Sequence, residues 1–347
     1  MSHRHCLFVA CAAFFAFALA GMAGCEPTGS GILLTPVSTD RTLVETTLHR
    51  DSGLFVYDKI VIIPVDGMLS NAESGPMFGA KENPVSLFAE KLNKARDDDN
   101  VKAVVLRINS PGGTVAASEI MYRQVMAFRK ARPDVHVVAS IQDLGASGGY
   151  YVACGAEKIF ALPSSLTGSI GVIFQTFSLE GMLKKIGVST EPVKSGKNKD
   201  IASPLRDRTP DEMKILQGLI DDYYDKFLTV VVEGRKGSAV PVTREKLTGG
   251  DVPLADGRVF TGDQAKKVGL VDDLLDEQQV LDTVKTALKI SKVKIVIYGR
   301  PLGYAGSIYA AAPAGAPGAT INLVNIDVAR LLQPSGPTFM YLCTGPQ

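Results

Sequence analysis

Histidine is scarce in this sequence and is missing from its second half. The 347 residues include four histidines, and the last of them is His136. An α/β-hydrolase needs a histidine that follows its nucleophilic serine along the chain, in the order serine, acid, histidine. A serine nucleophile located after residue 136 must therefore have another base, and an esterase of the α/β-hydrolase type is disfavoured.

Tryptophan is absent, cysteine is rare and the charges nearly cancel. The formal net charge is +1, so the chain has no basic field of the kind that attracts nucleic acid, and we expect no nucleic-acid partner. Among the five cysteines, neither a Cys-x-x-Cys pair nor a histidine cluster offers a metal site. This pattern excludes a disulfide scaffold, and we predict that the protein uses neither a metal nor an organic cofactor.

The N-terminal residues have the form of an export signal. An apolar run over residues 6–21 is followed by Met-Ala-Gly and then Cys25, which resembles the lipobox of bacterial lipoproteins except for the methionine. We predict a signal peptide at residues 1–24, lipidation of Cys25 and a polar tether at residues 25–55. The alternatives are an uncleaved anchor, because about 20 apolar residues can cross a bilayer, and a plain secretory signal. In each case the rest of the chain is exported, and we predict a membrane-anchored domain in the cell envelope, outside the cytoplasm.

Strand and helix patterns alternate through the middle of the chain. Buried strands and amphipathic helices are predicted in turn at 59–67, 85–96, 103–109, 115–131, 135–141, 211–235 and 293–298. Glycine-containing turns follow the carboxyl ends of the strands, where the sites of α/β proteins form. We therefore predict one α/β domain at residues 56–299, followed by a Gly/Ala/Pro-rich linker and tail at residues 300–347.

The turn after the third predicted strand presents a serine. It reads Gly-Ala-Ser147-Gly148-Gly149, and its glycines remove side chains that would block approach to the hydroxyl. The amide of Gly148 opens a helix, where unpaired N–H groups point outward and can bind an oxyanion. A serine with an adjacent base is a nucleophile, but this short motif alone fits a tight strand-to-helix junction equally well.

A second turn, Asn109-Ser-Pro-Gly112-Gly113, follows the second predicted strand. Its glycines leave their N–H groups bare, so a substrate carbonyl can come close. We predict that the amide of Gly113 is a second oxyanion donor and that Gly112 permits the required geometry. Taken alone, the same turn fits an ordinary Pro-Gly connection between strand and helix.

A lysine is the remaining base for Ser147 at neutral pH, provided that desolvation lowers its pKa. Five lysines follow the serine at a suitable distance, and spacing does not choose among them: Lys184, Lys185, Lys194, Lys197 and Lys199. A hydroxyl that orients the amine is expected as well, and Thr167 and Ser169 are available in a Gly-rich run.

These motifs together resemble the signal peptide peptidase A (protease IV) family. The similarity extends over residues 58–298, and it is carried by the motifs at 109–115, 143–151, 167–173, 194–200 and 256–272. The length is similar to that of the half-size, single-domain members. The resemblance implies the ClpP/crotonase fold of stacked ββα units.

The resemblance also implies a serine–lysine dyad. By position, Ser147 is the nucleophile and Lys199 the general base, Ser169 orients the lysine amine, and Gly113 and Gly148 form the oxyanion hole. It further implies homo-oligomeric, membrane-associated rings in which neighbouring subunits help to build each site. Remnant signal peptides and other short apolar peptides are the implied substrates.

Two other functions fit the same fold. A crotonase-like acyl-CoA enzyme would use paired backbone amides without a serine nucleophile, but an exported protein does not meet CoA. A non-catalytic membrane scaffold would have no need to keep both Ser147 and Lys199. A serine endopeptidase is therefore the function that the sequence favours.

Overall fold

The central sheet is built from three long runs of buried, mostly β-branched residues. The computed structural model describes residues 42–73, 82–300 and 340–343. The three runs form the strands β2 (Lys59–Leu69), β3 (Val101–Thr114) and β4 (His136–Ala146). They pair in parallel in the order β2–β3–β4. Parallel strands are covered on both faces, which explains why these runs are apolar throughout rather than alternating.

Shorter strands extend this sheet at both edges. On one side β9 (Lys294–Gly299) lies parallel to β2, and β1 (Val44–Arg50) pairs antiparallel with β9. On the other side β5 (Lys158–Ala161) lies parallel to β4, and β8 (Asp273–Leu274) lies parallel to β5. The sheet is therefore mixed, with parallel strands at its centre.

The folded unit reaches beyond the predicted limits of 56–299 on both sides. Strand β1 lies within the predicted tether, and strand β10 (Met340–Leu342), within the predicted tail, pairs antiparallel with β3. The polar sequence of β1 suggested a tether because an edge strand leaves one side exposed, and its side chains are half-buried or exposed. A three-residue strand such as β10 has no periodicity that a sequence pattern can detect.

Helices cover both faces of the sheet, and the alternation along β2 decides which side chain meets which layer. Val61 and Ile63 face the layer of α1 (Pro84–Arg96) and α2 (Val115–Ala131). Ile60 and Ile62 face α8 (Glu277–Leu288) instead. The other helices are α3 (Gly148–Ala153), α4 (Glu180–Lys185), α5 (Pro210–Gly234), α6 (Arg244–Thr248) and α7 (Gly262–Val268). Among the described residues, no helix has both the length and the hydropathy to cross a bilayer.

A small accessory sheet stands at the carboxyl end of β4. Strand β6 (Leu166–Gly168) runs parallel to the last residues of β4, and β7 (Val259–Thr261) pairs antiparallel with β6. This accessory sheet places residues from three distant parts of the sequence beside the turn between β4 and α3. The two described cysteines, Cys154 and Cys343, are free thiols.

Candidate active site

Ser147 stands at the turn between β4 and α3, where the sequence predicted it. Its backbone has φ +52° and ψ −117°, a conformation that residues other than glycine adopt only when the surrounding structure enforces it. The residue is 1% exposed, and its Oγ has no hydrogen-bond partner in the described part of the chain. A buried hydroxyl without a partner on a strained turn is typical of a functional position.

The accessory sheet fixes this turn from one side. The amide of Ser147 donates to the carbonyl of Gly168 over 2.7 Å, and the amide of Ser169 donates to the carbonyl of Arg258 over 2.7 Å. Ser169 is nearly buried and also has a positive φ, +49°. The turn between β4 and α3 that carries Ser147 is here called the serine turn. The motif at 256–262 supports it indirectly, because β7 pairs with β6 and β6 is hydrogen-bonded to the serine turn. Its own residues contribute backbone contacts rather than chemistry.

The two predicted oxyanion donors lie side by side. Gly112 has φ +102°, which turns the chain so that Gly113 approaches the start of α3. A methyl group on Gly148 would lie 3.1 Å from the nitrogen of Gly113 and would overlap the Oγ of Ser118. Glycine is therefore required at position 148 by close approach. The structure thus brings Gly113 close to Gly148, the residue that follows Ser147.

Two serines that the sequence did not single out support the Gly112–Gly113 turn. Ser110 donates from Oγ to the carbonyl of Gly67 over 2.6 Å and accepts from the amide of Gly112 over 3.1 Å. Ser118 is buried on α2 and donates from Oγ to the carbonyl of Thr114 over 3.0 Å. Ser110 belongs to the motif at 109–113, so the sequence offered a reason to examine it. Ser118 lies in the amphipathic pattern of α2, and nothing in that pattern distinguishes it from other helical residues.

Strand β10 runs directly along the same turn, which the sequence did not predict. Its residues 340–342 pair with residues 112–114, and Tyr341 is buried against α3 and α5 through its contacts with Tyr151 and Phe227.

Lys199 is not brought to Ser147 within the single chain. It is exposed, and its Nζ makes no hydrogen bond or ion pair with the described residues. Three of the five candidate lysines pair with carboxylates, namely Lys184 with Glu180, Lys194 with Asp200 and Lys197 with Asp211. Of these five, only Lys185 and Lys199 therefore keep an ammonium group that is not already engaged.

The segment that carries Lys199, residues 175–208, is here called the lysine arm. None of its residues is buried. Its carboxyl end is anchored by Arg206, which donates to both Asp200 and Glu212. The guanidinium of Arg206 holds the pKa of Asp200 well below its usual range and lowers the pKa of Glu212 to about 2. The position of Lys199 along the arm is therefore fixed next to this charged network, while its side chain stays exposed.

The lysine arm also exposes large apolar side chains. Phe177 and Ile186 are each 66% exposed, and Val193 is fully exposed. Clusters of exposed apolar residues on one surface mark contacts with another molecule.

Within residues 42–73, 82–300 and 340–343, no group of three or more His, Cys, Asp or Glu side chains is arranged to hold a metal ion. The predicted lipidation site, Cys25, lies outside the described residues.

Comparisons with known proteins show which family this chain resembles. Residues 129–291 match the model of peptidase family S49. A protein of Enterococcus faecium provisionally named signal peptide peptidase SppA is 33% identical over 260 residues, covering 75% of this chain and 70% of that protein. Protease 4 of Salmonella typhi is 36% identical over 225 residues, which cover 64% of this chain and 34% of that protein. A mutant of ClpP1 from Listeria monocytogenes has a TM-score of 0.40 at 16% identity, covering 65% of this chain and 94% of that one.

The molecule is thus an α/β serine peptidase. It belongs to peptidase family S49, which includes the relatives named signal peptide peptidase A and protease 4. The family predicted from the sequence is confirmed, as is the serine peptidase class. The α/β class is confirmed by the sheet itself, and the succession of parallel strands and helices agrees with the expected ClpP/crotonase-like architecture.

Proposed function

We propose that this protein is an endopeptidase in which Ser147 is the nucleophile and Lys199 of a neighbouring copy is the general base. One observation carries the proposal. The Oγ of Ser147 is buried and has no hydrogen-bond partner among the described residues, while Lys199 of the same chain is exposed and makes no ion pair. An unpaired buried hydroxyl costs free energy, and an amine arriving from another subunit would supply the missing partner.

The catalytic cycle follows from these positions. The Oγ of Ser147 attacks the carbonyl carbon of the peptide bond, and its proton passes to the neutral Nζ of Lys199. The oxyanion that forms accepts hydrogen bonds from the amides of Gly113 and Gly148. The C–N bond then breaks as the ammonium of Lys199 returns the proton to the leaving amine. Water, deprotonated by the neutral lysine, hydrolyses the ester and frees Ser147.

We propose that Ser169 orients the lysine amine. It follows Gly168, whose carbonyl accepts from the amide of Ser147, so its side chain belongs to the same turn region. Its Oγ makes no hydrogen bond with the described residues. We assign it to hold the Nζ of Lys199, because a base is effective only when it is within hydrogen-bond reach of the proton that it takes.

Assembly supplies the desolvation that a lysine base requires. An ammonium group in water is a poor base at neutral pH, and removal from water favours its neutral form. The lysine arm is exposed in the single chain and carries Ile186 and Val193 on its surface. Packing of this arm against a neighbouring copy would bury those side chains and bring Lys199 out of water. Repetition of one such head-to-tail contact closes a ring when the rotation between neighbours divides a full turn.

The proposed substrates are apolar peptides, including remnant signal peptides, and the proposed location is the membrane surface of the cell envelope. The apolar N-terminal run and the lipobox-like sequence that ends in Cys25 support this placement. A Cys25→Ser variant of the full chain is expected to leave the membrane fraction of the cells that express it. Retention of that variant in the membrane fraction would show that another segment is the anchor.

The decisive experiment mixes two inactive variants of the full chain. Ser147→Ala and Lys199→Ala are each expected to lose cleavage of an apolar fluorogenic peptide. When they are co-expressed in equal amounts, one intact serine meets one intact lysine at about a quarter of the interfaces, because each head-to-tail contact pairs two different subunits. Activity should therefore return to roughly a quarter of the parent level.

A mixture without activity, from two variants that are individually inactive, would place both members of the dyad on one chain. The matched control is Lys185→Ala, which removes the other unengaged lysine. It is expected to keep full activity, and loss of activity there with retention in Lys199→Ala would assign the base to Lys185.

A further inference from the structure

The loop between β1 and β2, residues 51–58, holds large apolar side chains in water. Leu54 is 85% exposed, Phe55 is 77% exposed and Tyr57 is 58% exposed. Between them Val56 is buried, and it fixes the loop on the body of the fold. Clusters of exposed apolar residues mark contacts with another molecule. The β1–β2 loop is such a surface, and it is separate from the lysine arm.

Hydrogen bonds hold both ends of this loop. The amide of Asp51 donates to the carbonyl of Val293 over 3.1 Å, and its carboxylate accepts from the amide of Val293 over 2.9 Å. At the other end, the carbonyl of Asp58 accepts from the amide of Lys294 over 2.8 Å. Phe55 has φ +66°, which a bulky residue keeps only when the surrounding structure enforces it. The exposure of Phe55 is therefore built into the fold.

Cations flank these apolar side chains. Arg50, Lys289 and Lys292 are exposed, and none of them makes an ion pair with the described residues. A methyl group on Gly53 would lie 2.6 Å from the Nζ of Lys292, so this ammonium group stands directly beside the loop. Arg50 immediately precedes the loop, and Lys289 is the residue that ends α8. The rim of the apolar surface is thus positively charged.

The carboxylates of the loop do not cancel this charge. Asp51 is paired with Lys285 over 2.9 Å, and Asp58, which is half-buried, is the other acid among residues 51–58. Exposed apolar side chains beside unpaired cations have the composition of segments that lie on the surface of anionic membranes. A symmetric contact between two copies of the loop is disfavoured, because it would bring the same cations together.

The loop lies at the edge of the sheet opposite to the serine turn. It precedes the amino end of β2, whereas Ser147 follows the carboxyl end of β4, and β2, β3 and β4 run parallel. A bilayer that contacts the loop would therefore leave the serine turn accessible to peptides.

We propose that the β1–β2 loop is a membrane-docking site, whose apolar side chains enter an anionic bilayer while the flanking cations contact lipid headgroups. Tyr57 suits the interface because its ring is apolar and its hydroxyl is polar. The inference rests on the membrane location in the proposed function and not on the dyad. One such insertion binds weakly and reversibly, so stable attachment still needs a second signal, the predicted lipid on Cys25.

The sequence contains no tryptophan, so one introduced indole reports on the loop alone. The full chain with Phe55→Trp is added to an excess of vesicles that contain phosphatidylcholine and phosphatidylglycerol in a ratio of about 7:3. The emission should shift to shorter wavelength, because the indole leaves water. Vesicles with brominated acyl chains should quench it at least about twofold, since bromine quenches an indole only within the bilayer. Equal emission in brominated and ordinary vesicles would overturn the proposal.

Phe177→Trp is the matched control, because Phe177 is a 66% exposed phenylalanine of the lysine arm. Its emission should be equal in brominated and ordinary vesicles, even if a neighbouring copy covers the arm. The same result for Phe55→Trp, together with a shift to shorter wavelength, would mean that a second copy of the chain covers the β1–β2 loop. That outcome would also refute membrane docking.

Removal of the flanking charges tests the role of the cations. Lys289→Gln and Lys292→Gln, each combined with Phe55→Trp, should weaken insertion of the loop by about fivefold in the anionic vesicles. Insertion into vesicles of phosphatidylcholine alone should not change. Insertion that is unaltered in the anionic vesicles would contradict the contact with headgroups. Cleavage of a water-soluble peptide should be equal in all these variants, since the loop is remote from Ser147.

Flotation of the full chain with the same vesicles separates the two proposals. A chain that floats while the indole of Phe55→Trp escapes quenching would keep the proposed membrane location and refute only the docking loop. A chain that does not float, but whose indole is quenched in excess lipid, would refute the stable anchor and support the loop. Neither assay requires the enzyme to be active, so a failure of the dyad does not affect them.

Discussion

The serine turn and the lysine arm are built on opposite principles. The turn at Ser147 is closed in by β3, the accessory sheet and α3, and even its strained backbone is held by hydrogen bonds with Gly168 and Tyr151. The lysine arm has no buried residue, and its one short helix, α4, buries none of its side chains. A single chain therefore fixes the turns that carry Ser147, Gly113 and Gly148, but it fixes only the path of the segment that carries Lys199.

This difference indicates where activity is controlled. A preorganised oxyanion site needs no rearrangement when charge develops on the substrate. An exposed lysine becomes a base only when something removes it from water. Under the proposed mechanism, the chain can thus fold with a complete nucleophile turn and stay inactive until a neighbour covers the arm. Variants of the two regions should accordingly differ in how their defects depend on protein concentration.

Apart from the two dyad variants, the largest effect is expected from Gly148→Ala in the serine turn. The added methyl group would overlap the Oγ of Ser118 and press on Gly112 and Gly113. Displacing one oxyanion donor costs about 10²–10³ in rate, so kcat should fall by that factor. Steady-state kinetics at several protein concentrations provide the measurement, and the loss should be the same at each concentration.

A double variant checks the assigned cause. Ser118→Ala removes the overlapped Oγ, so Gly148→Ala with Ser118→Ala should recover part of the lost rate, a positive coupling between two contacting residues. Gly181→Ala is the comparison in the lysine arm, where a methyl group meets nothing within 4 Å, and it should retain parent activity. Equal losses in Gly148→Ala and Gly181→Ala would contradict the contrast between the two regions.

The next largest effect is expected from Asp200→Asn, which loosens the arm. Asp200 accepts from both Lys194 and Arg206, and the amide would keep neither charge-assisted bond at full strength. Because Lys199 is the preceding residue, its misplacement by about 1 Å should lower kcat up to roughly 10²-fold. The melting temperature should change little, since the arm adds no buried residue to the core. Activity at the parent level would show that the network does not position Lys199.

The sequence was informative where the structure is dictated by local pattern. The strands and helices from residue 59 to residue 141 follow apolar periodicity, and α2 has the predicted limits of 115–131. The serine turn and the oxyanion turn were predictable because glycines must stand where backbones approach closely. Both depend on residues adjacent in sequence.

Contacts between distant segments were beyond the sequence pattern. Ser118 reaches Gly148 because α2 and α3 pack together, and nothing in the spacing of α2 marks that serine. Strand β10 is three residues long and gains its stability from β3 and Ile173. The choice of Lys199 among five lysines came from family resemblance alone, and the ion pairs that occupy three of the others became apparent only in three dimensions.

A smaller effect should come from Ile186→Ser on the lysine arm. Ile186 is 66% exposed in the single chain, so its replacement leaves the fold intact and removes apolar surface that assembly would bury. Activity should be lost at low protein concentration and return as concentration rises. Sedimentation velocity on the same samples should show a weaker assembly. Concentration-independent activity equal to that of the parent would mean that this face of the arm contacts no neighbour.

No effect on activity is expected from Glu277→Gln. This buried carboxylate lies on α8, which belongs neither to the serine turn nor to the lysine arm. Burial raises the pKa of Glu277 to about 7, although Arg107 lies 3.8 Å away and the nearby Asp66 adds to the increase. An unfolded glutamate has a pKa of about 4.3. Between these values the folded protein holds a proton that the unfolded chain has released, so the free energy of unfolding should decrease as pH rises from about 4.5 to 7.

Glutamine cannot ionise, so the variant should lack this part of the pH dependence. Denaturant unfolding is expected to show parent and variant nearly equal at pH 5, with the variant more stable by about 1–3 kcal/mol at pH 8. A less stable variant at pH 8 would mean that the attraction between Arg107 and the ionised carboxylate outweighs the cost of its burial. Peptide cleavage by Glu277→Gln should be unaltered in either case. Unfolding and cleavage measured on the same variant therefore show that Glu277 affects the stability of the fold and not the activity of the site.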